Sequence, residues 1–182
     1  TVNENESAQI RQEQGEQLSG YEFSGIHFAK DDLKSLAFID CQFTACNLSN
    51  LSVMNVVLRD VNFSDCNLMG INWTEARKGG TFDFSGCKLD YGCFQGMDLR
   101  GRKFENSSVR EADFAEANLA KASFNGCQLS GTSFNGANLE KSDFRGARQY
   151  FIDPKFTKLK EAKFSFPEAI ILLEALGIDI EA

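Results

Sequence analysis

Histidine occurs once in the 182 residues, tryptophan once and proline twice. One histidine, His27, restricts any Ser-His or Cys-His nucleophile to a single residue, and it cannot complete a zinc-finger spacing. The six cysteines, at 41, 46, 66, 87, 93 and 127, include no Cys-x-x-Cys pair. Reduced, buried thiols are the expected state, rather than a disulfide or a metal site. No stretch approaches the roughly 18 consecutive apolar residues of a membrane span. Thr1 to Gln17 has no apolar targeting core, so a cytoplasmic protein is expected. The glycines do not form a G-x-x-x-x-G-K-[ST] phosphate cradle. An excess of positive charge is also missing. The net charge of −7 argues against direct binding to nucleic acid and favours solubility or a basic partner surface. The acids Asp31 and Asp32 stand side by side, but on a turn they read as solvated. An enzyme, a metal centre and a bound cofactor are therefore not expected.

What is present is a period. Phe23, Phe43 and Phe63 stand twenty residues apart, and after one extra residue the column resumes at Phe84, Phe104, Phe124, Phe144 and Phe164. Every fifth residue between them is also apolar, from Leu18 to Trp73 and again from Phe84 to Phe144. All of these centres are Phe, Leu, Val or Trp. A helix would show a period near 3.6 and a strand a period of 2, so a five-residue repeat fits neither. It predicts a solenoid of small stacked units.

Two residues before each centre, small or aliphatic residues dominate, including Cys46, Val61, Cys66, Ala112, Ala117 and Ala137. Asn or Asp often precedes the centre, and Ser and Gly often follow it. Both apolar positions ask for burial, and the other three ask for turns and water. Units such as Ala112-Asp113-Phe114-Ala115-Glu116 and Ala137-Asn138-Leu139-Glu140-Lys141 resemble the pentapeptide repeat, A(D/N)LXX, over roughly residues 18–147 and 157–166. The resemblance implies an all-β solenoid, a right-handed quadrilateral β-helix with one repeat on each of four faces. The recurrence of Phe on every fourth centre independently supports four. At about 4.8 Å per coil, the seven steps of the column predict a rod on the order of 35 Å long.

Residues 1–17 read as a polar tail or cap, 18–164 as the repeat domain with a loop at 74–81, and 165–182 as a C-terminal helix. At the loop, Thr74-Glu75-Ala76-Arg77-Lys78-Gly79-Gly80-Thr81 replaces the fourth-face centre. With no apolar anchor, it is expected to bulge outward, either as a tolerated insertion or as a loop that contacts a partner. Arg102 occupies a small inward position, so either the corner flares or Arg102 pairs with an acid such as Glu105. A solenoid filled by its own side chains is expected to leave no pocket. Ser165-Phe166-Pro167-Glu168 resembles a capping box. Ala169, Leu172, Leu173 and Leu176 follow at helical spacing, and Gly177 is a suitable stop. The helix covers the open end of the last coil. Its surplus apolar residues, Ile170, Ile171, Leu173, Leu176, Ile178 and Ile180, predict a homodimer.

Within the family, the chain is most similar to the topoisomerase-protecting group: Qnr-type quinolone resistance, albicidin resistance and microcin immunity. The likeness lies in Leu68-Met69-Gly70-Ile71-Asn72-Trp73-Thr74 leading into the loop, and in Phe164-Ser165-Phe166-Pro167-Glu168-Ala169 through Leu176-Gly177-Ile178. It implies a dimeric rod that mimics DNA, binds DNA gyrase or topoisomerase IV and protects it from a poison. The implied partner-binding residues are the exposed acids Asp40, Asp60, Asp65, Glu75, Asp90, Glu111 and Glu116, with Arg77 and Lys78 in the loop. The alternative is a repeat scaffold that binds a different protein.

Overall fold

The computed structural model describes residues 17–29 and 33–179. The polar tail before Gln17, the pair Asp31 and Asp32, and Ile180 lie outside them. The chain is a right-handed quadrilateral β-helix with a short C-terminal helix. On the first face, β2 (Glu22–Ser24), β4 (Gln42–Thr44), β6 (Val61–Ser64), β7 (Phe82–Ser85) and β8 (Phe104–Glu105) form one parallel sheet. On the fourth face, β1 (Gln17–Ser19), β3 (Ala37–Ile39) and β5 (Val57–Arg59) form another. Phe23 pairs with Phe43 and Phe43 with Phe63, and Phe63 then pairs with Phe84, which absorbs the extra residue. The other faces are held by single parallel bridges, such as Asn72 to Cys93 to Asp113 to Ser133.

The core is built from two aromatic columns set at right angles. Along the first face, rings stack at centroid distances from 4.7 Å (Phe23–Phe43) to 5.4 Å (Phe63–Phe84). Along the third face, Trp73, Phe94, Phe114 and Phe134 also stack, the closest pair at 4.6 Å. Between the columns, Phe104–Phe114 and Phe114–Phe124 meet edge to face at 89° and 88°. Both geometries suit the quadrupoles of the rings. Each coil thereby fills its interior with apolar side chains, and every centre from Leu18 to Phe144 is buried.

Corners come in two kinds. At the tight ones, the N–H three residues past a centre donates to the centre's carbonyl, as Ala117 N does to Phe114 O and Ala122 N to Leu119 O. The residue between takes the left-handed region, as Glu116 (φ 61°) and Lys121 (φ 64°) do. At the strand corners of the first face that bond is not made. There the thiols of Cys46, Cys66 and Cys87 donate to Phe23 O, Phe43 O and Phe63 O of the coil below, each at 3.4 Å. Cys127 does the same to Phe104 O at 2.7 Å. The column of small residues thus supplies a further donor to first-face carbonyls that lack the tight-corner bond. All six cysteines are free thiols.

Arg102 is half-buried, and its guanidinium lies 3.7 Å from Asp83. The expected partner, Glu105, instead accepts from Ser123 Oγ at 3.0 Å. Asp83 lies one coil down on the same face, nearer to an arginine that leans along the column.

The C-terminal helix α1 spans Ile170–Glu174 and is shorter than its sequence pattern predicts. No capping box forms, because the Ser165 hydroxyl is taken by Gly146 N–H of the preceding coil, at 3.0 Å. Gly177 (φ 78°) ends the segment, with Ile178 N–H reaching back to Leu173 O. Ile171 and Leu172 pack against the core, so Ile171 serves the cap and is not surplus. No helix among the described residues is long and apolar enough to cross a membrane.

Candidate functional site

Three surface features rise above the regular rod: the acids at the corners, the loop at 74–81, and the apolar strip at the C-terminal end.

The acids Asp40, Asp60, Asp65, Glu111 and Glu116 all sit in left-handed turn positions, with φ between 52° and 61°, and all are exposed. Glycines lie above three of them, Asp65, Glu111 and Glu116. A side chain at Gly86 would meet the Asp65 carboxylate, and one at Gly131 would meet that of Glu111. The acids do not gather on one face. Asp40 and Asp60 share the corner between the fourth and first faces, while Asp65, Glu111 and Glu116 occupy the other three corners. Two expected exposed acids are half-buried and engaged within the chain. Glu75 accepts from Ser52 Oγ at 3.2 Å and from Asn72 Nδ2 at 3.4 Å. Asp90 accepts from Ser108 Oγ at 2.6 Å and from Arg110 N at 2.9 Å. Several neighbouring cations are neutralised by their own acids. Arg100 grips Asp98 at 2.6 Å and Arg145 grips Asp143 at 2.6 Å. These guanidiniums hold both carboxyls below the usual range.

The loop starts as a 3-10 turn at Trp73–Glu75. Arg77 N and Thr81 N then donate to Val56 O, just before β5, and to Leu58 O within it. Four residue steps above thus match two below, and Lys78, Gly79 and Gly80 form the projecting part. The expectation that nothing apolar anchors this stretch is wrong. Phe82 is buried and stacks on Trp73 at 5.4 Å, beside the partly buried Ala76. The i−2 position of the following repeat has supplied the missing ring. The rod is also not free of pockets. A recess of about 400 Å3 opens between the loop and Gln95–Asp98 of the next coil. A period count has no signal for it, because it arises where one rung departs from its neighbour.

At the C-terminal end, Phe166, Leu173, Leu176 and Ile178 are exposed, Phe166 at 80%. Ile170 is half-buried. The sequence pattern did not single out Phe166, because it lies before the helical spacing begins. Phe151 and Phe156 are also exposed, on the segment around Pro154 where the repeat loses phase.

A parallel, four-faced coil with five residues per face defines a β-solenoid class. Two models of pentapeptide repeats match, one described as a pentapeptide repeat region over residues 80–149 and the other as pentapeptide repeats over residues 38–72. The chain belongs to the pentapeptide repeat family. Among solved structures, a trypsin-treated variant of QnrB1, a plasmid-mediated fluoroquinolone resistance protein, is 20% identical with a TM-score of 0.66, covering 92% of this chain and 92% of that one. A second trypsin-treated QnrB1 variant is 14% identical with a TM-score of 0.59, covering 91% of this chain and 100% of that one. At these identities the likeness is one of fold. No curated protein matches the chain.

Proposed function

We propose that the chain is a dimeric, DNA-mimicking rod that binds bacterial DNA gyrase or topoisomerase IV and protects it from a poison. The observation that carries this reading is the exposed apolar strip of Phe166, Leu173, Leu176 and Ile178 at one end of the rod. Joined there, two copies make one longer rod, with carboxylates such as Asp40, Asp60 and Glu116 turned outward along it. The fold shared with a fluoroquinolone resistance protein across nearly the whole chain is consistent with it, as is the net charge of −7, which suits a basic groove. The test is a gyrase supercoiling assay with and without a poison. The expected result is altered supercoiling, or supercoiling restored in the presence of the poison. Protein that neither binds gyrase nor changes supercoiling in either condition sinks the proposal.

One observation favours a second reading, a scaffold for a different protein. The acids are spread over all four corners, and Arg59, Arg110 and Lys121 share those surfaces without an ion pair among the described residues. A stoichiometric pull-down of one unrelated protein, with gyrase absent, would decide for it.

A further inference from the structure

The recess beside the loop has a built polar wall. On the neighbouring faces, Cys93 N and Ser108 N donate to the coil below, at Ile71 O and Cys87 O, while Trp73 N and Leu89 N donate up to their carbonyls. Asp98 is the equivalent residue on the fourth face. Its bridge upward, to Asn118, is intact. Downward, its N–H and C=O find no partner among the described residues, because the rung that would meet them has swung out as the loop. The N–H groups of Lys78 and Gly79 likewise have no partner among the described residues, and Lys78 and Gly79 form the turn between Arg77 and Gly80. Phe82, Ala76 and Met97 provide apolar lining, each buried or partly buried against the core.

Charge around the recess is one-sided. Arg77 and Lys78 are exposed on its rim and make no ion pair among the described residues. The carboxylate of Asp98 is neutralised by Arg100, with bonds of 2.8 and 2.6 Å. Glu75 is turned to Ser52 and Asn72, and Asp83 to Arg102. Unpaired N–H groups and two free cations beside an aromatic floor suit an anion with an apolar body. A volume of about 400 Å3 falls within the usual range for small-molecule sites.

We propose that this recess binds a small apolar carboxylate, its carboxylate on Arg77, Lys78 and the free amides and its body against Phe82 and Met97. The proposal concerns the isolated protein and is independent of any partner.

The test is an amide NMR titration of the full chain with 2-naphthoate, alongside the neutral 2-naphthamide. Saturable shifts at Gly79, Gly80 and Asp98 are expected with 2-naphthoate, together with a change in fluorescence of Trp73, which stacks on Phe82. Removing both cations in an Arg77→Ala/Lys78→Ala variant should weaken binding by about tenfold or more, the scale of losing charge-assisted bonds. 2-Naphthamide should be weaker by a similar factor. Both cations are exposed, so the variant should keep the fold, which its unchanged dispersion elsewhere checks. No saturable shift at these amides up to millimolar probe overturns the proposal. So does equal binding of the neutral probe, or undiminished binding by the variant.

Discussion

At the scale of single residues, the rod depends on positions that few side chains tolerate. Gly131 has φ 72° and lies over the Glu111 carboxylate. Alanine there adds left-handed strain of about 1–2 kcal/mol, whereas the collision involves the flexible end of Glu111, which can swing aside. Gly131→Ala should therefore lose roughly that amount in urea denaturation, and the loss should persist in a Glu111→Ala background. A loss that vanishes in that background would mean the contact, not the backbone, is limiting. The cysteines show a related constraint. Their spacing looked like a consequence of the repeat alone, yet Cys46, Cys66, Cys87 and Cys127 each donate to a carbonyl one coil below. That role was hidden because it links residues 23 or 24 apart and depends on which corners are strand-like.

At the scale of elements, the terminal helix and the loop were only partly legible. The Phe column could be read directly, because a period of twenty leaves its mark at every coil. The capping box at Ser165 failed because a distant donor, Gly146 N–H, competes for the hydroxyl, and a local motif cannot register that. The loop's anchoring escaped notice for the same reason: its ends are set by Val56 O and Leu58 O in the coil beneath. For the terminal strip, Leu173 is exposed and outside the core, so Leu173→Glu should not damage the rod. Light scattering is expected to give twice the monomer mass for the unaltered protein and half of that for the variant. A monomeric unaltered protein would refute dimerisation.

At the scale of the whole molecule, a continuous core links stability to thiol chemistry. Burial pushes Cys127 up to about 12 from an ordinary 9.0, raises Cys41, and pushes Tyr150 up to about 12. In each case the folded state holds the proton more tightly than the unfolded chain does. This contribution is fully present below the unfolded value and fades as pH rises from about 9 towards 12. The urea midpoint should therefore fall across that interval, and Cys127→Val should flatten the fall. A midpoint independent of pH from 8 to 11 would contradict the burial argument. The fold class and the four faces were readable from periodicity at this scale. The distribution of charge was not: pairing Arg100 with Asp98 and Arg145 with Asp143 leaves a surface that a count of charges does not describe.

The two anchors of the loop have an engineering consequence. Arg77 N and Thr81 N are pinned to Val56 O, just before β5, and to Leu58 O within it, and Thr81 O accepts from Val61 N as the first face resumes. The entry and exit of the insertion are therefore held a fixed distance apart by the coil below, whatever lies between them. Added residues lengthen the projection without rotating the later coils. The rod thus carries a natural display position at which a foreign peptide could be grafted between Arg77 and Thr81, with the rungs on either side serving as its rigid frame.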